Sequence, residues 1–280
     1  MSAGTPGPSA AAVELAELAS SIAQEAAELL LTRRDHVAVV RTKSSPTDVV
    51  TEMDQAAEKL IRDRLAAARP GDAVLGEEGG QTGAGNVRWI VDPLDGTVNY
   101  LYGLPDWAVS IAAEVAGDVV AGAVCVPLRR SLFTAATGGG AWLESAWQPG
   151  RQRLACNSGV GLSAALVATG FGYAAEQRAR QGSVAAALLP RVRDIRRSGS
   201  AATDLCSVAA GEVDAYYEQG VQAWDVAAGE LIAREAGAVT GGLHGQPAGP
   251  GMTIAAAAGL FTELHDLLAE LAAGGAAATR

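Results

Sequence analysis

Two apolar, β-rich runs, residues 108–115 and 119–126, are separated only by Ala116-Gly117-Asp118. Extended segments joined by so short a Gly-containing turn fold back on one another as a hairpin. This makes the first half of the chain antiparallel, and residues 132–136 and 141–143 continue the same meander. Short apolar runs at residues 73–75 and 88–91 add two strands upstream.

Two amphipathic helices accompany these strands. Across residues 11–33, Val13, Leu15, Leu18, Ile22, Ala26 and Leu29 follow helical spacing, with Glu14, Glu17, Glu25 and Glu28 opposite. A second helix covers residues 54–68 and ends at Arg69-Pro70-Gly71-Asp72. After the polar segment 148–153, which carries Pro149 and Gly150, strands and helices alternate. Strands are expected at residues 164–167, 215–217, 238–240 and 253–256, and helices at 177–189, 204–210, 225–236 and 259–272. The organisation read from this is a disordered tail (residues 1–10), an α+β subdomain (11–150) and an α/β subdomain (151–280).

With 49% hydrophobic residues the chain has enough apolar mass for a packed core. A formal charge of −10 disfavours binding to nucleic-acid backbones, which demand clustered cations. An acidic protein can still hold an anion if metal ions or backbone dipoles reverse the local field. Cys125, Cys156 and Cys206 are odd in number and form no Cys-x-x-Cys pair, so reduced thiols and a cytoplasmic setting are expected. The first twelve residues lack a basic segment of the secretory kind, and no uninterrupted apolar span suggests a membrane helix.

Three segments set acidic residues beside turn formers: Gly76-Glu77-Glu78-Gly79-Gly80, Trp89 through Thr97, and Glu218-Gln219-Gly220 followed by Trp224-Asp225. Singly they are ordinary turns, and Asp225 alone is an ordinary helix cap. Together they point to a hard cation. Asp92 and Asp95 flank Pro93, whose fixed φ stiffens the turn, directly after an apolar strand. Two Asp, a neighbouring Glu and a carbonyl form an oxygen set that suits Mg²⁺. Gly96-Thr97 then offers amides and a hydroxyl to an anion.

Gly76-Glu77-Glu78, the block around Asp92-Pro93-Leu94-Asp95-Gly96-Thr97, and Trp224-Asp225-Val226-Ala227-Ala228-Gly229 resemble three signatures of the inositol monophosphatase family. The stretch from Asp48 to Asp54, and Gly199-Ser200-Ala201-Ala202 with Asp214 to Glu218, resemble two further family segments in the same order. The resemblance implies an α+β fold, a layered α/β/α/β/α sandwich with an antiparallel sheet in the first half and a mixed sheet in the second. It implies metal ligation by Glu77, Asp92, the Leu94 carbonyl, Asp95 and Asp225, holding two to three Mg²⁺. Asp54, Thr97 and Glu77 would be catalytic, with Thr97 and Asp54 deprotonating the attacking water. Asp95, Gly96, Thr97, Ala201 and Glu218 would bind substrate. The implied reaction is hydrolysis of inositol 1-phosphate by in-line attack of a metal-activated water, without a phospho-enzyme, and it is lithium-sensitive. The implied partners are a small phosphate monoester and a second copy in a homodimer, with no membrane.

Two alternatives stand beside this reading. One is a histidinol-phosphate phosphatase on the same metal site. The other is a non-catalytic role in contact with the transcription machinery. His36, His244 and His265 show no metal-ligand spacing, and neither a Gly-x-Ser-x-Gly elbow nor a Gly-x-x-x-x-Gly-Lys loop is present. The basic run Arg191, Arg193, Arg196 and Arg197 reads as a solvated face, the functional alternative being the mouth of the site or a subunit contact.

Overall fold

The computed structural model describes residues 7–34, 39–42 and 49–277. Asp48, His36 and residues 1–6 of the expected tail lie outside the described residues. Ser9 already caps the first helix, α1 (Ala10–Thr32), its Oγ accepting from Ala12 N–H at 3.1 Å. The buried face of α1 carries Leu15, Ile22 and Leu30 among many alanines, and such small side chains let the helix lie close to a sheet. Helix α2 (Glu52–Ala68) follows a small antiparallel pair, β1 (Val39–Thr42) and β2 (Val49–Thr51).

The first half continues with β3 (Ala73–Gly76), β4 (Gly80–Thr82), β5 (Val87–Asp95), a short helix α3 (Thr97–Tyr102) and β6 (Ala108–Val115). It closes with β7 (Asp118–Val126), β8 (Ser131–Ala136), β9 (Ala141–Ser145) and β10 (Gln148–Arg153). These form an eight-stranded sheet in the order β10-β9-β8-β7-β6-β5-β3-β4. The expected hairpin is β6 and β7, with Val109 opposite Cys125 and Val115 opposite Asp118. The sheet is antiparallel except at one junction, where β3 and β5 run parallel.

The second half contains β11 (Leu166–Thr169), α4 (Ala175–Leu188), β12 (Asp194–Arg196), α5 (Ala201–Ala209) and β13 (Ala215–Glu218). After these come α6 (Ala223–Glu235), β14 (Val239–Gly241), β15 (Thr253–Ala256) and α7 (Ala258–Ala277). The second sheet is mixed, in the order β12-β11-β13-β15-β14.

Side-chain alternation divides the apolar residues among four cores, which define five layers. Val109, Ile111 and Ala113 of β6 face α1 and α2, while Ala108 and Ala112 face α5 and α6. Helices α5 and α6 fill the space between the sheets; Tyr216 of β13 meets them, and Tyr217 points the other way, toward α4 and α7. The α/β/α/β/α sandwich is therefore present. Close approach is part of it: a Cβ at Gly122 on β7 would stand 3.1 Å from Ala228 Cα on α6.

Several elements differ from the sequence reading. The polar segment 148–153 is an edge strand, where exposed Gln, Arg and Pro are tolerated because one side of the ladder is open. The expected strand at 164–167 begins two residues later, after a single 3₁₀ turn at Leu162–Ala164. Helix α5 starts at Ala201 and not at residue 204, because the Ser200 side chain caps it. Among the described residues no helix is long and apolar enough to cross a membrane.

Candidate active site

The acidic residues meet where β5 leaves the eight-stranded sheet. In a regular strand Asp92 and Asp95 would face opposite sides, being an odd number of residues apart. Here Asp92 pairs with Ser110 and Asp95 with Ala108, so three steps along β5 match two along β6. That extra residue is a β-bulge, and Pro93 sits inside it without a ladder N–H to lose. Leu94 accordingly packs into the outer core with Trp89 and Val91, and both aspartates turn to the inner side.

Glu77 arrives through the one parallel junction. Gly76 of β3 is the partner of Val91 of β5, so the next residues, Glu77 and Asp92, lie side by side. Glu77 N–H donates to the Val91 carbonyl at 3.3 Å. The turn that carries Glu77 is held from behind by Glu58 of α2, a buried carboxylate that accepts from Glu78 N–H at 2.7 Å and Gly79 N–H at 2.9 Å. Side chains at Gly76 or Gly79 would collide with that carboxylate at 2.6–2.7 Å, which explains the glycines around the acidic pair.

Asp225 comes from the opposite side, in the first turn of α6. Its Oδ2 accepts from Gln222 N–H at 2.6 Å, closing a capping box. Helix capping and site geometry therefore share one residue. Asp92 and Asp225 are within hydrogen-bond reach of each other, and both carboxyls are pushed well above their usual range. Burial is the main cause for each; Glu77, Asp95 and Asp225 add repulsion at Asp92, and Asp95 and Glu77 add it at Asp225.

Asp95 is treated differently. Ser200 Oγ donates to its Oδ2 at 2.6 Å and Ala202 N–H at 2.8 Å, and Ala201 N–H faces it too. The carboxylate thus sits on the N-terminus of α5. Burial still raises its pKa, but these donors limit the rise to about 6. The Ala201 backbone, expected to meet substrate, is turned toward Asp95 in this arrangement.

Asp54 and Thr97 complete the group. Thr97 Oγ1 lies 2.9 Å from Asp54 Oδ1 and 3.1 Å from the Leu94 carbonyl. Asp54 Oδ2 accepts from Thr51 N–H at 2.8 Å and Thr51 Oγ1 at 2.5 Å, as the third residue of the α2 capping box. Burial nonetheless raises the Asp54 pKa. Gly96 has φ +91°, and a Cβ there would stand 2.9 Å from the Asp106 carbonyl, so only glycine fits before α3.

Glu218 stands at the end of β13 on the inner face. Tyr216 hydroxyl donates to it at 3.0 Å, and burial lifts its pKa to about 7 against the opposing pull of Tyr216 and Arg197. A side chain at Gly170 would run into the Glu218 carboxylate. Of the basic run, Arg197 also favours the ionised form of Asp95. His244 and His265 pair with each other, His244 N–H donating to His265 Nε2 at 3.1 Å.

Glu58 and Ser200 were not assigned roles from the sequence. Glu58 falls on the buried stripe of α2 with Asp54, Ile61 and Leu65, and a carboxylate on such a stripe was the available signal. Ser200 stands one residue before a helix whose start was placed too late.

Among the described residues no three His, Cys, Asp or Glu side chains are drawn into a closed ion cage. The fit to a cation rests on donor chemistry. Glu77, Asp92, Asp95 and Asp225 are all hard oxygen donors gathered around one buried space, a donor set whose chemistry suits a divalent ion.

Comparisons with known proteins give the fold and the family. Solved structures share the fold: Mycobacterium tuberculosis SuhB has a TM-score of 0.80 at 47% identity, covering 92% of this chain and 97% of that one. The Thermotoga maritima IMPase has a TM-score of 0.83 at 28% identity, with 92% and 98% covered. The chain belongs to the inositol monophosphatase family, whose model matches residues 11–275. A Mycobacterium tuberculosis relative named inositol-1-monophosphatase SuhB is 49% identical over 267 residues, 89% of this chain and 91% of the relative. A Vibrio cholerae relative named Nus factor SuhB is 40% identical over 201 residues, 71% and 73% of the two chains.

Proposed function

We propose that the chain is a Mg²⁺-dependent phosphomonoesterase that hydrolyses inositol 1-phosphate to myo-inositol and phosphate. The observation that carries this reading is the convergence of four carboxylates, with Glu77, Asp95 and Asp225 all raising the pKa of Asp92, beside the Thr97–Asp54 hydrogen bond. Glu77, Asp92 and the Leu94 carbonyl would hold a first ion, and Asp92, Asp95 and Asp225 a second, with a third near Glu77. When bound, Mg²⁺ supplies screening of the phosphoryl oxygens, a lowered pKa for water and stabilisation of the departing alkoxide.

The chain's own residues supply position and proton transfer. Thr97 Oγ1 gives its hydrogen to Asp54, which leaves its lone pairs free to accept one from a water. Asp54 is a stronger base than a solvated aspartate because burial opposes its charge. Amides at Gly96 and Thr97 receive the phosphate. Glu218 and Asp95 accept hydrogen bonds from the alcohol's hydroxyls, and the positive charge of Arg197, which favours both carboxylates' ionised forms, attracts the dianion. The reading takes water as the nucleophile, attacking in line without a phospho-enzyme. Family membership and the 49% identical relative named inositol-1-monophosphatase support this substrate class. By the same resemblance the enzyme is cytoplasmic, homodimeric and lithium-sensitive.

The test is phosphate release from inositol 1-phosphate, histidinol phosphate, fructose 1,6-bisphosphate and 3′-phosphoadenosine 5′-phosphate, with Mg²⁺ and with EDTA. Magnesium-dependent release led by inositol 1-phosphate is expected. Release led by histidinol phosphate would keep the mechanism and replace the substrate, and no release from folded protein would remove the enzymatic reading.

Relatives named Nus factor SuhB favour a second reading, contact with the transcription machinery. Under that reading, Asp95→Asn protein without phosphatase activity would still restore the phenotype of a strain lacking the gene.

A further inference from the structure

Helix α2 carries Asp54, Glu58 and Arg62 at successive spacings of four residues, so the three side chains stand in one row along the helix. Asp54 is the base of the proposed reaction. The other two reach the turn between β3 and β4, whose first residue is Glu77.

Every amide of that turn is held. Glu77 N–H donates to the Val91 carbonyl. Glu58, only 3% exposed, accepts from Glu78 N–H through Oε2 and from Gly79 N–H through Oε1. Arg62 then ties Glu58 to the far side of the turn. Its Nε donates to Glu58 Oε1 at 2.7 Å, its Nη2 to the Gly80 carbonyl at 2.6 Å and its Nη1 to Thr82 Oγ1 at 2.8 Å. The Glu78 side chain is fixed as well, by Arg41 of β1 at 2.6 Å. A three-residue hairpin turn ordinarily closes on its own backbone. Here a buried carboxylate, costly to keep unless it is paired and hydrogen-bonded, does that work from a different element.

From this we infer that Glu58 and Arg62 are positioning residues for the metal centre: they fix the backbone that carries Glu77 against the base Asp54, and so set the affinity for the divalent ion. The inference rests on the metal-dependent reading proposed above. Glu58 acts through Glu77 and not as a ligand, because both its oxygens are taken by N–H donors. A glutamine at this position has one acceptor oxygen, and its NH₂ would face an N–H of the turn and leave it unmet. Methionine in place of Arg62 removes all three donors of the guanidinium fork.

The opposite charges of Glu58 and Arg62 separate holding the turn from acting through the electric field. Through the field alone, Glu58→Gln would weaken a bound cation and Arg62→Met would tighten it. As positioning residues, both substitutions weaken it. The test is Mn²⁺ binding to the full chain, read from the electron paramagnetic resonance signal of the free ion, since Mn²⁺ takes the same oxygen ligands as Mg²⁺. Glu58→Gln should weaken the tightest site by about 10- to 100-fold, the range for partners of metal ligands, and Arg62→Met by about three- to tenfold. Arg62 is partly exposed, so its variant tests the clamp with the buried carboxylate intact. With inositol 1-phosphate, saturating Mg²⁺ should restore kcat to within about twofold of wild type at unchanged KM. The Mg²⁺ needed for half the maximal rate should rise in step with the Mn²⁺ constant. Unchanged Mn²⁺ affinity in both variants, or tighter binding in Arg62→Met, would overturn the positioning role. So would a loss of kcat that saturating Mg²⁺ does not restore, the mark of a purely structural part. Wild type that binds no Mn²⁺ would instead remove the metal reading, and this inference with it.

Discussion

On the wall of the acidic cleft made by β3 and β5, Asp92 accepts one backbone N–H at 3.0 Å and faces Glu77, Asp95 and Asp225. On the wall made by α5 and β13, Asp95 is met by Ser200 and the first amides of α5, and Glu218 by Tyr216 and Arg197. The burial is similar, but the supply of donors differs. A carboxylate served by hydroxyls and helix amides keeps its charge more readily, as the limited rise at Asp95 shows. One that meets mainly other carboxylates needs a cation from outside. Under the proposed function the ions sit at the first wall, with Asp95 reaching them from the second, and a neutral polyol is read at the second.

Four substitutions break or sharpen that contrast, in falling order of effect. Asp92→Asn should lower kcat by about 10³-fold. In EDTA the same variant should melt at a higher temperature than wild type, because it replaces a repelled buried charge with a neutral isostere. A variant that was both active and unstable would reverse the assignment of the two walls. Thr97→Val keeps the shape and removes the proton relay, so kcat should fall about 10²-fold with KM nearly unchanged. Ser200→Ala takes one donor from Asp95 and should cost about tenfold in activity, as partners of metal ligands commonly do. A loss as large as that of Asp92→Asn would make the second wall as dependent on ions as the first.

Glu218→Gln should change least, raising KM a few-fold for a polyol phosphate while kcat holds, as loss of one ground-state hydrogen bond does. It also carries a pH signature. Its pKa of about 7 in the fold exceeds the ordinary value of 4.5, so the folded chain holds this proton more tightly than the unfolded one. The stabilisation is complete below pH 4.5 and is lost as pH rises through about 7. The Tm of metal-free protein should therefore fall across that window, and Glu218→Gln should flatten this part of the fall.

Much of this could be read before the fold was known. Two β-rich runs joined by the short turn Ala116-Gly117-Asp118 defined the β6–β7 hairpin, and helical spacing marked α1 and α2. The acidic motifs located Glu77, Asp92, Asp95 and Asp225. What was not legible depended on partners far apart in sequence. Nothing local announces that β3 pairs parallel with β5, yet that junction sets Glu77 beside Asp92. The bulge at Pro93 is visible only against β6, and without it Asp92 and Asp95 would point apart. Strands β4, β10 and β12 are short or polar and carry too few apolar residues to show a period. Glu58 and Ser200 act on residues tens of positions away, Glu58 on the Glu78 turn and Ser200 on Asp95.

The most direct test of the cation-dependent wall is thermal unfolding of wild type and Asp92→Asn across a Mg²⁺ titration at constant ionic strength. Ligand linkage predicts that wild-type Tm climbs with Mg²⁺. Asp92→Asn should start higher in EDTA and stay nearly flat. Parallel curves for the two proteins, or no response in wild type, would contradict the assignment of metal ions to the carboxylates around Asp92.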